Sequence, residues 1–243
     1  MQVVDVATGT GNLAIAMAGR VGDTGKVTGI DLADGMLEYA ERKARARKMK
    51  QVEFKKMDAR QLSYDSNSLD VVTCGLAIFY FPDIPGTLSE MCRVLKPGGV
   101  VGISTADPET AFSPLSESYM ARLRQVSEEL AIHPPEYSET SALTRTKEGL
   151  EKLLKDAGFV DVQVREESIP VHFTAPEDWW NYGRGSTWGD LVLGDMPEER
   201  RQEFEKQHLE EVKTLFGTEG VQTATPVLFA TGRKPGKPIK DNS

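Results

Sequence analysis

The chain has 243 residues, a length that suits one α/β domain with additions, and its 39% apolar content plus 22 glycines reaches the ordinary globular level of roughly 45–50%. A formal charge of −8 argues against a general nucleic-acid binder, whose affinity comes largely from phosphate contacts. Nothing reads as a signal peptide or as an apolar run of membrane-spanning length, and two cysteines, Cys74 and Cys92, cannot build a disulfide framework, so a cytoplasmic location is expected.

Val3, Val4 and Val6 predict a first strand that runs through Asp5 into the loop Ala7-Thr8-Gly9-Thr10-Gly11. A helix is predicted from Asn12 to Val21, then a second strand from Val27 to Ile30, closed by Asp31. Gly9 and Gly11 let the backbone turn sharply and approach a ligand. The helix N-terminus behind them offers unpaired N–H groups to an anionic part of that ligand. Asp31, about twenty residues on, is placed to accept hydrogen bonds from two ribose hydroxyls. These features describe an adenosine-containing cofactor bound at the carboxyl ends of parallel strands. Gly9 to Ala14 also satisfies the dinucleotide pattern G-x-G-x-x-A, which keeps an NAD(P)-dependent oxidoreductase as the alternative.

The helix after the second strand gathers cations between Arg42 and Lys50, where they complement its dipole on a solvated face. A third strand, Val52 to Phe54 and then Met57, ends at Asp58-Ala59, where an acid can accept from an adenine amino group. Ser68 to Gly75 reads as a fourth strand entering a loop. Leu88, Met91, Cys92 and Leu95 share one helix face, and Arg93 to Gly99 joins that helix to a strand from Val100 to Ser104. A helical stretch from Ser113 to Leu130 follows. Leu150, Leu153, Leu154 and Ala157 predict a helix with Thr146 as N-cap and Gly158 as its stop. Extended runs at Val160 to Val171 and Thr223 to Thr231 flank a helix from Pro197 to Phe216. The segment from Arg233 to Ser243 reads as a disordered tail. Strands and helices alternate to about residue 105, the pattern of a doubly wound parallel sheet.

Residues 3 to 105 resemble the class I S-adenosylmethionine-dependent methyltransferases, of the group that includes the ubiquinone and menaquinone C-methyltransferases. The glycine loop, Gly29-Ile30-Asp31 followed by Met36-Leu37, Asp58, and the Leu95-Lys96-Pro97-Gly98-Gly99 turn stand in that family's order and spacing. The resemblance implies a Rossmann-like, seven-stranded α/β sheet of order 3-2-1-4-5-7-6, its last two strands an antiparallel pair, in a single domain over residues 1–232. It implies S-adenosylmethionine as cofactor. Asp5 would orient the methionyl amino group, directly or through water, with Gly9 and Gly11 beneath the methionyl part. Asp31, with Leu32 beside it, would hold the ribose, and Met36 would pack on adenine. Asp58 would take the adenine amine and the Ala59 N–H a ring nitrogen, with backbone at Cys74 or Gly75 near the methionyl amine. Ala7 departs from the family, which often has glycine there; an alanine fits if its φ is negative. Met1 lies almost at the first strand, where the family usually has a helix or two. A truncated N-terminus is therefore expected, either from a reading frame that begins internally or with other segments as the missing wall.

Gly75 to Asp83 resembles the family's loop after strand four, with Phe79-Tyr80 where the family often has two histidines. No Asp-Pro-Pro-Tyr or Asn-Pro-Pro-Tyr tetrapeptide is present, which disfavours amino methylation of DNA bases. Phe79 and Tyr80 are candidates to contact an apolar or aromatic acceptor, with structural packing equally open. Segments 108–145 and 176–220 lie outside the minimal sheet and are expected to cap that acceptor. The second holds Trp179, Trp180 and Trp188, and the first two of these are acceptor-contact candidates. The alternative is that they only pack the insertion. His133, His172 and Tyr80 are candidate bases, whereas His208 falls in the apolar stripe Phe204, His208, Val212, Leu215 and reads as a packing residue. Cys74 reads as a small pocket-lining residue and Cys92 as core; no cluster has metal-ligand spacing. The expected function is C-, O- or N-methylation of a small apolar or aromatic acceptor. A cofactor-binding protein without turnover is a further alternative, and an oligomer is left open.

Overall fold

The computed structural model describes residues 1–106, 115–132, 139–185 and 187–236. In chain order the elements are β1 (Gln2–Val6), α1 (Asn12–Ala18), β2 (Lys26–Asp31), α2 (Asp34–Ala46), β3 (Val52–Lys56), β4 (Leu69–Gly75), α3 (Ile84–Val94), β5 (Leu95–Ala106), α4 (Leu115–Glu129), α5 (Lys147–Asp156), β6 (Val160–Phe173), α6 (Pro176–Arg184), α7 (Thr187–Gly194), α8 (Glu198–Lys213) and β7 (Val221–Arg233). The seven strands form one sheet in the order β3-β2-β1-β4-β5-β7-β6, as expected. Parallel pairing sets Asp5 opposite Gly29 on one side and Thr73 on the other, Asp31 opposite Lys56, and Gly75 opposite Ser104. The carboxyl ends of β1, β2, β3 and β4, the loops after them and the first turn of α2 thus carry the residues assigned to the cofactor.

Two compact units divide the chain, the first comprising Met1–Thr105, Tyr137–Glu166 and Leu228–Ser243, the second Ala106–Glu136 and Glu167–Val227. In the first, β1 is buried along Val3 to Val6, as a central parallel strand covered on both faces must be. Val4, Val6, Ile30, Val72 and Val101 share one core with Ile84, Leu88 and Met91, the inner face of α3. Asp83 caps α3 by accepting from the Gly86 N–H at 2.9 Å. The predicted N-cap of α5 is present: Thr146 Oγ1 accepts from the Gly149 N–H at 3.1 Å, and Gly158 follows at a φ of 93°. On α2, Arg42 and Arg45 pair with Glu38 and Glu41 one turn back, the pattern of a solvated face.

Some boundaries move. Leu95 opens β5 instead of closing the helix before it, because its backbone is already extended (φ −66°, ψ 141°). Helix α1 stops at Ala18, three residues before Val21. Arg233 and Lys234, read as tail, belong to the sheet end: the Lys234 N–H donates to the Gly99 carbonyl, and the Gly98 N–H donates to the Lys234 carbonyl. The remainder of that tail, from residue 237, lies outside the described residues, as does His133. The 3-10 segment Glu139–Arg145, read as part of the first insertion, belongs to the first unit, where it packs on α5 and on the 3-10 turn Ile78–Tyr80.

In the second unit α4, α6, α7 and α8 pack on one another. Their shared core holds Leu115, Tyr119, Leu123, Phe173, Trp179, Trp180, Val192, Phe204 and Val212. It is a hydrophobic cluster of its own, and it is rich in aromatic rings.

Candidate functional site

The loop between β1 and α1 is shaped by three left-handed residues: Ala7 (φ 52°), Gly9 (φ 54°) and Gly11 (φ 75°). The two glycines do different work. A side chain at Gly9 would meet no atom within 4 Å, so the space above it is open to a ligand. A Cβ at Gly11 would lie 2.7 Å from the Phe54 ring and 2.9 Å from Ala40, so Gly11 lets α1 close onto the sheet and does not offer a ligand approach. Ala7 corrects the expectation of a negative φ. It takes the conformation that glycine takes at no steric cost, and an L-residue pays roughly 1–2 kcal/mol for it.

Asp31 ends β2 beside that loop. Its Oδ2 accepts from the Gly9 N–H at 2.8 Å and its Oδ1 from the Ala33 N–H at 3.0 Å. A carboxylate has about four acceptor positions. Two remain on Asp31 for vicinal hydroxyls. Leu32 and Met36, next along the chain, are 57% and 46% exposed, and large side chains that stand bare beside a polar anchor suit the edge and face of an adenosine. Asp58 is part-exposed and holds Arg60 through both oxygens, with Nη2 at 2.7 Å, and also accepts the Arg60 N–H. That pairing lowers its pKa. Ala59 beside it is buried in the core, leaving its main chain for recognition.

Asp5 lies buried beneath the glycine loop. It is 1% exposed, and its oxygens take hydrogen bonds from the Thr8 hydroxyl (2.6 Å) and the Thr73 hydroxyl (2.7 Å). Burial drives its pKa up to about 6, against the opposing pull of the two hydroxyls. Asp5 therefore ties the glycine loop to β4. Thr8 and Thr73 are site residues that sequence reasoning passed over. The Thr8 signal was local, a hydroxyl three residues from the acid. Thr73 is visible only through the β1–β4 register.

Cys74 is fully buried, and burial together with the Asp5 carboxylate pushes its thiol far above the usual range. Its side chain is part of the core and is not open to a pocket, contrary to the expectation. Gly75 follows, and a Cβ there would come within 3.2 Å of Leu13 Cδ2. Tyr80 is 46% exposed and lies against Phe79, whose ring centroid is 4.4 Å away. Phe79 packs against the main core.

Trp179 and Trp180 are 2% and 3% exposed. The Trp179 ring meets Phe173, Tyr119 and Tyr182 at centroid distances of 5.5–6.1 Å, and its Nε1–H donates to His208 Nε2 at 2.9 Å. Their surfaces are occupied by protein, the packing alternative, and Tyr182 is the aromatic of α6 with an open face. His208 is buried as expected. His172 is exposed, and its Nε2 lies 2.6 Å from the Glu219 carbonyl, which requires a proton on that nitrogen and leaves only Nδ1 as a base. Among the described residues no group of three or more His, Cys, Asp or Glu side chains can hold a metal, and no helix is long and apolar enough to cross a membrane.

Comparisons with known proteins bear on this geometry. Residues 1–174 match the model of the ubiE/COQ5 methyltransferase family. Demethylmenaquinone methyltransferase of Staphylococcus aureus is 37% identical over 170 residues, covering 68% of this chain and 70% of that protein. Among solved structures, the YcgJ protein of Bacillus subtilis superposes with a TM-score of 0.60 at 20% identity, over 96% of this chain and 92% of that one. Phosphoethanolamine N-methyltransferase 2 of Haemonchus contortus, solved with S-adenosylhomocysteine, gives 0.58 at 21% identity, over 97% of this chain and 49% of that one. The structural likenesses show the shared fold, and none of these relatives favours the oxidoreductase alternative. The chain belongs to the ubiE/COQ5 methyltransferase family and is an S-adenosylmethionine-dependent methyltransferase.

Proposed function

We propose that this enzyme transfers the methyl group to a ring carbon of a reduced, demethylmenaquinone-type dihydroxynaphthalene. The observation that carries the reading is Asp31, with two acceptor positions left beside the open loop at Gly9, in a chain 37% identical to a demethylmenaquinone methyltransferase. The cofactor supplies an electrophilic methyl group on a sulfonium. The acceptor must therefore be a nucleophile, which a quinone ring is not and a dihydroxynaphthalene is. With the cofactor bound, the ring carbon would gain the methyl group as the carbon–sulfur bond gives its electrons to sulfur, and the ring proton would pass to water to restore aromaticity.

What the protein supplies is position and exclusion of water. Asp31 and Leu32 hold the ribose, Met36 packs on adenine, and Asp58 with the Ala59 main chain reads its edge. Asp5 acts through Thr8 to fix the loop of Gly9, and the Gly75 main chain borders the methionyl end. The exposed Tyr80 ring, backed by Phe79 on the main core, is assigned to the acceptor. A cytoplasmic location rests on the two unpaired cysteines.

Two measurements test the reading. Calorimetry should show S-adenosylhomocysteine binding and no NAD binding. Under reducing conditions, chromatography should show methylated product from a short-chain demethylmenaquinol and none from the same compound kept oxidised. Product from the oxidised form alone would reject the nucleophile argument.

A further inference from the structure

Two leucines flank Gly75, and both stand bare: Leu13 is 38% exposed and Leu76 is 50% exposed. Neither is positioned loosely. Leu13, in the first turn of α1, leans over the end of β4, where a Cβ at Gly75 would lie 3.2 Å from its Cδ2. Leu76 is held in the left-handed region at φ 53°, a conformation that costs a branched L-residue stability. Its N–H is captured by Ser104 of the neighbouring strand, donating to the carbonyl at 2.9 Å and lying 3.2 Å from the hydroxyl. A glycine or asparagine would take this backbone more readily. The chain instead has a leucine there, strained, with half its surface in water, one residue beyond the end of β4.

We propose that Leu13 and Leu76 form the apolar seat on which the methyl acceptor lies, with Leu76 as a residue that sets acceptor affinity. Strain kept at an exposed position is the pattern of a contact that pays its return only when a ligand covers it. The Ser104 tether holds the Leu76 backbone in place, and the bare α-carbon of Gly75 leaves room for Leu13 beside it. The inference rests on the methyl-transfer reading above and names the side chains of that site that hold the acceptor.

The test uses the full chain with a short-chain demethylmenaquinol as acceptor. Leu76→Asn keeps a side chain that tolerates positive φ but makes it polar; Leu76→Gly removes the side chain and relieves the backbone. Both variants should bind S-adenosylhomocysteine as the wild type does, and Leu76→Gly should melt no lower. The acceptor KM should rise about tenfold in both, the change expected when half a leucine surface is no longer covered. Acceptor KM within twofold of wild type in both variants would overturn the proposal, as would an equal loss of S-adenosylhomocysteine affinity. A wild type that binds S-adenosylhomocysteine but methylates no naphthoquinol overturns the acceptor reading itself. That failure is separable from this one because it precedes any substitution.

Discussion

At Asp31 a single carboxylate joins the two loops that flank the proposed cofactor site. Both of its oxygens already hold backbone N–H groups of the loops on either side, and the remaining positions are open for ribose hydroxyls. Asp31→Ala should weaken S-adenosylhomocysteine binding by roughly ten- to hundredfold, since charge-assisted hydrogen bonds are worth about 1.5–3 kcal/mol. Asp58→Asn should cost less, because an amide oxygen still accepts from an adenine amine and Arg60 already occupies part of that carboxylate. Calorimetry on folded variants checks the order; a larger loss at Asp58 would misplace the adenine. Ala7 invites the opposite kind of substitution. Ala7→Gly removes the left-handed strain at φ 52° but makes the unfolded chain freer, so a net gain of about 0.5–1 kcal/mol is expected in urea unfolding. A lower midpoint would mean that the Ala7 methyl contributes more to the core than its backbone costs.

Element by element, the local signals were legible in the sequence and the long-range ones were not. The glycine loop, the acid at the tip of β2 and the Thr146 cap each depend on residues a few positions apart, and all three stand where they were read. Thr146→Ala should accordingly lower stability by about 1 kcal/mol in urea unfolding, with S-adenosylhomocysteine affinity unchanged. No change in stability would mean that the Gly149 N–H finds another acceptor. Leu95 misled because a leucine satisfies a helix face and a strand start equally well, and only its extended backbone decides. Thr73 was hidden because its partner Asp5 is 68 residues away and meets it through sheet register. Trp179 and Trp180 were read from composition, which cannot distinguish an aromatic core from an aromatic pocket. Their burial among Tyr119, Phe173, Phe204 and His208 shows the former. The left-handed turn at Leu76 has no sequence signature at all, since its cause is a hydrogen bond to a strand nearly thirty residues on.

Across the whole molecule, the two units carry buried titratable groups of opposite sense, and acid should separate them. His208, at the centre of the second unit's aromatic core, has its pKa pushed down to about 4 by burial, with Glu211 opposing and Arg122 adding to the shift. Its Nε2 accepts from Trp179, and its Nδ1 finds no partner among the described residues, so a second proton would turn the acceptor into a donor facing a donor. A histidine whose folded pKa lies below its unfolded value of 6.5 favours the native state fully above 6.5 and loses that contribution as pH falls toward 4. Asp5, in the first unit, has its pKa raised by burial from 3.8 to about 6, with Asp31 contributing in the same direction. Its buried charge destabilises the native state above 6, and that cost is relieved as pH falls from 6 toward 3.8. Each shift corresponds to at most roughly 3–3.5 kcal/mol. Hydrogen exchange at pH 7 and pH 5, corrected for intrinsic rates, should show α6 and α8 losing protection while β1 and β4 hold or gain it. Trp179 fluorescence should change as pH falls through about 4, where native His208 takes its second proton, and His208→Gln should abolish that change without altering the response of β1. Loss of protection in both units together, unaltered by that substitution, would reject the assignment of the acid response to these two side chains.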